Sequence, residues 1–186
     1  LLILCTTISG YAQYAGQASS NMSAGGGGGA TGQIYDLMGP ISERNKKNAD
    51  MYSAFQGSPY ISDTFLPTTM FYGDENMGDI FYRYNALNEE IEIKKSNSEE
   101  AQIQSLSRDK KINIVTDGKK MSFKTFTTSK NSTVNGYLTA IIDGKEYDLY
   151  KRSYVKYTEG KAAANSFVKA VPSRFSQFTE YYFQKD

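Results

Sequence analysis

Gly136 to Lys151 reads GYLTAIIDGKEYDLYK, and the fold turns on how this stretch is read. Asp143-Gly144 separates two runs of alternating character. An Asp-Gly pair suits a type I′ hairpin turn, because both central residues need positive φ and these two tolerate it. With that loop Leu138 faces Leu149 and Ala140 faces Tyr147, and these four share one side, because side chains alternate along a strand. Thr139 with Asp148, Ile141 with Glu146, and Tyr137 with Tyr150 fall on the other. An apolar side backed by a largely polar one is the pattern of an antiparallel sheet wetted on one face.

A near copy lies 26 residues upstream: Ile112 to Phe126 reads INIVTDGKKMSFKTF, with Asp117-Gly118 at its tip. Here Ile112 faces Phe123 and Ile114 faces Met121, while Asn113, Lys120, Ser122 and Lys124 point outward. A slip of one residue would turn either inner face to water. Cross-strand pairs of this kind contribute about 0.2–1 kcal/mol each, and an isolated hairpin is marginal. The two hairpins therefore belong to a larger sheet. The shared Asp-Gly-Lys reads as one favourable turn used twice in a meander, with a repeat array as the alternative.

The rest of the chain agrees with a β-rich domain of ordinary size. It has 186 residues, with 15 Tyr and 10 Phe, residue types that favour strands. Thr68–Tyr72, Asp79–Tyr84, Glu89–Lys95 and Thr179–Lys185 read as further strands. Gly73–Gly78 reads as the loop between the first two. Ile80, Tyr82, Tyr84, Ile91 and Ile93 point inward, and Glu90 and Glu92 outward. Pro67 cannot donate to a ladder, which places Phe65-Leu66-Pro67 at a sheet edge. Ser98 caps a single helical turn that buries Ile103 and Leu106. After Lys151 the strand continues or bends through Tyr154, Val155 and Tyr157. Ser173-Arg174-Phe175 reads as a tight turn. The expected fold is mainly β, an antiparallel meander sheet, rolled or packed as a sandwich, with little helix.

The amino terminus has a different character. Leu1–Ile8 is apolar and is followed by small residues up to Ala12, which resembles the core and cleavage site of a secretory signal peptide clipped at its start. Residues 1–12 are expected to be that leader. Residues 13–50 form a Gly/Ser/Ala-rich flexible segment and linker, with Gly25 to Gly29 unbroken. Residues 51–186 form the β-rich domain, expected to be truncated at its carboxyl end because its last strand has no return strand behind it. If the leader is removed, the mature chain loses its one cysteine, Cys5. Stability then rests on core burial rather than on disulfides, and no transmembrane segment remains in the mature chain.

Composition narrows the chemistry. There is no His, so Ser-His-Asp and Cys-His sites are not available, nor is zinc held by His or Cys. Net charge is +1, with Lys and Glu interspersed, which is no footprint for nucleic acid. Carboxylates at Asp79, Glu89, Glu90, Glu92 and Asp148 leave a remote alternative, a carboxylate-dependent hydrolase. The Asp74-Glu75-Asn76 turn has the oxygen chemistry for calcium without the EF-hand spacing. No catalytic residue, cofactor or metal is assigned.

Tyrosine is the remaining lead. Tyr137, Tyr150, Tyr154 and Tyr157 form a candidate binding surface, because exposed aromatics serve recognition. The competing expectation is that Phe175 and Phe178 from the carboxyl-terminal segment cover this face.

Four stretches, GSPY at Gly57–Tyr60, RYNALNEEIEI at Arg83–Ile93, DGKEYDLYKR at Asp143–Arg152 and VPSRFSQFTEYYF at Val171–Phe183, resemble secreted envelope proteins of Bacteroidota. None is a catalytic motif. The resemblance implies export and a β-rich fold, and no reaction. The expected function is an exported, non-enzymatic binding or structural component of a bacterial cell envelope. Its place would be the periplasm, the outer membrane's surface or the exterior, and its partner an envelope protein or an apolar small molecule. The alternative is a β-structured carrier of an apolar ligand or lipid, with a cavity lined by Ile91, Ile93, Phe123 and Leu149.

Overall fold

The structure, a computed structural model, describes residues 38–40, 52–144 and 146–185. The leader-like residues 1–12 lie outside it, as does all of 13–50 except 38–40. The named elements are all strands: β1 Met38–Pro40, β2 Leu66–Tyr72, β3 Glu75–Asn85, β4 Glu90–Lys94, β5 Gln104–Leu106, β6 Ile112–Thr116, β7 Lys119–Thr127, β8 Thr133–Asp143, β9 Tyr147–Thr158 and β10 Arg174–Lys185. They form one antiparallel sheet in the order β1-β5-β4-β3-β2-β6-β7-β8-β9-β10, curled into a half-barrel.

The sheet is two meanders joined back to back at β2 and β6 through Thr69↔Val115 to Tyr72↔Ile112. Residues 107–111 connect β5 to β6, although β4, β3 and β2 stand between those two strands. A flat sheet would set β5 and β6 about 19 Å apart across the strands alone, and more along them. Six peptide steps reach at most about 22 Å. Curling of the sheet makes so short a link possible, and it brings Leu106 and Ile112 into one core.

That core lines the inside of the curl. Met70, Ile80, Tyr84, Ile91, Ile93, Ile112 and Ile114 are buried there, joined by Tyr137, Val155 and Phe175 from the far strands. Ile80, Tyr84, Ile91 and Ile93 take the inward side that alternation assigns them.

The first hairpin keeps its expected register, with Ile114↔Met121 and Asn113↔Ser122. Its tip residues Asp117 and Gly118 have φ of 51° and 72°, as a type I′ turn requires. The second hairpin does not. Ala140 faces Tyr150 and Ile142 faces Leu149, with a bulge at Ile141 and Asp143↔Asp148 as the last pair. Tyr137 and Tyr150 are therefore not opposite one another. The cause is tertiary: β8 is fixed by β7 through Phe123↔Tyr137, and β9 by twelve consecutive pairs with β10. The bulge absorbs the mismatch between the two.

Other expectations are corrected in the same way. Ser98 caps only a turn, its Oγ accepting the Glu100 N–H at 3.2 Å, and Leu106 is buried as part of β5 instead of a helix. Met38–Pro40, expected as linker, is an edge strand on β5. Pro67 lies inside β2, opposite Phe81, but β6 pairs with β2 only from Thr69 onward, so the proline occupies the stretch that β6 leaves uncovered. The Gly73–Gly78 loop shrinks to a tight turn, because β3 begins at Glu75. Strand β10 begins at Arg174, where a turn was expected, and β9 runs unbroken to Thr158.

Candidate functional site

The four candidate tyrosines do not form one surface. Tyr137 is 3% exposed, on the core side, its ring edge-on to Tyr84 at 5.7 Å and to Phe123 at 5.2 Å. Tyr157 is on that side too, at the rim, stacked on Phe55 at 5.5 Å. Tyr150 and Tyr154 are on the opposite side. The Tyr150 hydroxyl donates to Asp148 at 2.8 Å, and the Lys124 ammonium sits 4.7 Å over its ring. Tyr154 is stacked on Phe178 at 5.4 Å and 17°. Phe178 and Phe175 lie beside Tyr154 and Tyr157 on the neighbouring strand, one on each side of the sheet, and cover no single face: Tyr157 stays 46% exposed.

Around Tyr154 the structure assembles something the sequence did not announce. The turn between β3 and β4 lays Glu89, at φ 51°, over β8 at Gly136. A Cβ on Gly136 would collide with the Glu89 carboxylate, so the glycine leaves room for it. Arg152 of β9 pairs with Glu89 through Nη2 and reaches Glu180 of β10 through Nη1 at 3.4 Å. The hydroxyls of Tyr182 and Tyr154 donate to the same Glu180 at 2.7 Å and 3.1 Å. Beside this, the Val155 N–H donates to the Ala86 carbonyl at 3.0 Å. The cluster clasps the end of β3 onto β8, β9 and β10.

The charges have local effects. The Tyr182 hydroxyl is the main influence holding the Glu180 carboxyl below its ordinary value. Burial, then the Glu180 carboxylate, push Tyr182 up to about 12. Burial drives Tyr84 and Tyr137 upward as well. Among the described residues the buried side-chain atoms without a hydrogen-bond partner are Tyr84 Oη, Tyr137 Oη, Glu89 Oε2 and Arg152 Nε, all on residues in or beside this clasp.

The acidic residues considered for hydrolysis do not converge, and Glu90, expected to point outward, is buried. Glu92, expected on a wetted face, is fully buried. It pairs with Arg83 at 2.5 Å and accepts the Tyr60 hydroxyl at 3.1 Å. Arg83 is sandwiched between the rings of Tyr60 at 3.9 Å and Phe65 at 4.6 Å, so residues 58–65 form a lid over what alternation marks as an outward side. Glu89 is held by Arg152, Asp79 by Thr69 at 2.7 Å, and Asp148 by Tyr150.

The residues expected to line a carrier's cavity enclose none: Phe123 packs against the core that contains Ile91 and Ile93. Ile91 and Ile93 are each 1% exposed in packed core, and Leu149 sits opposite Phe183 on the outer strand pair. The apolar groove inside the curl is lined by Ile61, Leu66, Tyr82, Met121 and Ile141 among others and holds about 160 Å³, below the 300–1,000 Å³ usual for ligand pockets.

The outer strand is different. β10 pairs with β9 along all twelve residues and, among the described residues, has no strand on its other side. Its start is capped: Gln56 donates to the Ser173 carbonyl at 2.9 Å and accepts from the Phe175 N–H at 2.8 Å. Phe175 therefore points its backbone away from β9. By antiparallel alternation Gln177, Thr179, Tyr181, Phe183 and Lys185 do the same. All five are exposed, Tyr181 by 64% and Phe183 by 65%. Phe183 stacks on Tyr147 at 5.0 Å.

Fold and site together define a curled antiparallel β domain whose long outer strand has, among the described residues, no strand on its other side. Comparison with protein-family models, curated proteins and solved structures finds no match for the chain.

Proposed function

We propose that this chain is a non-enzymatic binding component of a bacterial cell envelope, exported to the periplasm, the outer membrane's surface or the exterior. It takes hold of an envelope protein by adding a strand to β10. One observation carries the reading: five successive outward-facing backbone positions on β10, from Gln177 to Lys185, with exposed rings at Tyr181 and Phe183. Strand addition draws its affinity from the backbone and its specificity from alternate side chains. The filled core supports a binding module over a carrier. The leader-like start supports export, and no helix of the described residues is long and apolar enough to cross a membrane.

A photoreactive residue at position 181, introduced in the native host, tests this. The expected product is one discrete protein adduct, lost when Thr179→Pro removes an outward N–H while β9 pairing is kept. No adduct, or an adduct unchanged by the proline, overturns the reading. A bound mass of lipid size in native mass spectrometry would move it to the carrier.

A further inference from the structure

We propose that the side of the sheet opposite the core carries a second binding site, for an acidic polysaccharide. A trough of about 510 Å³ crosses β6, β7, β8 and β9 on that side. It exists because the central strands present short side chains between long ones. Asn113 and Ser122 face each other across β6 and β7 and form a floor with Ala140 and Tyr150, while Lys110, Lys111, Lys120 and Lys124 stand around it. None of these lysines forms an ion pair with a described carboxylate. The lining carries these four cations against Asp74 and Asp143, a balance of 4 − 2 = +2. The whole chain is +1, so everything outside the trough sums to −1.

The arrangement selects among anions. Lys120 and Lys124 share a face of β7 four residues apart, about 13 Å along the strand. No single phosphate or carboxylate reaches both, so the ligand is extended and multiply charged. The floor offers an amide at Asn113 and a hydroxyl at Ser122. The Asn113 side-chain N–H₂ is used on the Lys111 carbonyl at 3.1 Å, which leaves its carbonyl oxygen to accept from a hydroxyl. Acyl chains find no slot there. Bases find no open ring, because Tyr150 is 8% exposed and lies under Lys124, whereas single-stranded nucleic acid needs stacking platforms. A chain of hydroxylated, negatively charged sugars fits both the spacing and the floor.

The full chain should bind polygalacturonate or dextran sulfate in calorimetry and ignore neutral dextran. Raising the salt should weaken the binding, because the lysines are exposed to screening. Reversing Lys120 and Lys124 together to Glu should weaken it tenfold or more, and so should Lys110→Glu with Lys111→Glu, which lies outside the strands and does not touch their pairing. Lys161→Glu, away from the trough, should change it less than twofold. Thr179→Pro should leave it intact, which separates this site from the β10 edge. The proposal fails if neither acidic polysaccharide binds, if dextran binds equally, or if the reversals have no more effect than Lys161→Glu. Tighter binding to phosphatidylglycerol vesicles or a single-stranded oligonucleotide than to either polysaccharide also overturns it.

Discussion

Gly136 shows how much can depend on an absent side chain. The Glu89 carboxylate occupies the place of a Cβ there, so Gly136→Ala must displace that carboxylate and disturb its pairing with Arg152. Overpacking of this kind costs about 1–3 kcal/mol, measurable as a lowered urea midpoint. Arg83 is the other sensitive residue. Removing it strands the fully buried Glu92 carboxylate. Breaking a buried pair costs about 3–5 kcal/mol, so Arg83→Leu should be severe and the double change Arg83→Leu with Glu92→Leu milder. Tyr84 and Tyr137 behave oppositely. Their hydroxyls are buried without a partner, and a buried unsatisfied group costs about 1–3 kcal/mol. Tyr84→Phe and Tyr137→Phe should therefore leave stability unchanged or raise it in urea titrations. A loss above about 1 kcal/mol in either variant would mean that its hydroxyl is satisfied after all. None of these contacts was legible in the sequence. Glu89 and Arg152 lie 63 positions apart, and nothing in their local sequence marks them as partners.

Single strands were more legible than their pairings. Alternation placed Ile80, Tyr84, Ile91 and Ile93 correctly, because side-chain period is a local property. It failed for Glu92, whose outward side is roofed by Tyr60 and Phe65 from a segment with no period of its own. Two Asp-Gly tips looked alike and behaved differently. Asp117-Gly118 closes a tight turn at positive φ, while Asp143-Gly144 opens into a wider loop because β7 and β10 fix its strands from outside. Gly118→Val should therefore destabilise through its φ of 72°, where a β-branched residue is strained. The outer strand offers a sharper contrast. Glu180→Pro removes an N–H directed at β9 and one anchor of the clasp, and Thr179→Pro removes neither. The first should lower the melting temperature clearly more than the second.

For the whole molecule, pH tests the assembly. The folded Glu180 carboxyl lies below its ordinary value, so its contribution is present above about pH 4.3 and is lost as pH falls through the folded value. Tyr182 lies up at about 12 when folded and near 10 when unfolded. Its contribution is complete below pH 10 and is lost as pH rises through about 12. Tyrosinate absorbance should accordingly rise in two stages, surface rings first, then Tyr60, Tyr84, Tyr137 and Tyr182 together with unfolding. A single smooth rise near pH 10 would contradict the burial of those rings. Sheet order was beyond the sequence, because joining Thr69 to Val115 is a long-range choice that no hairpin signal encodes. That join also sets an order of events. Strands β1 to β5 leave the ribosome first and can pair among themselves, with one flank of β2 bare. β6 is the next strand to emerge, and it supplies the cover. The younger half of the sheet is thus templated on β2, the strand of the older half that borders it. Any delay between Leu106 and Ile112 would lengthen the time that flank stays open to the wrong neighbour.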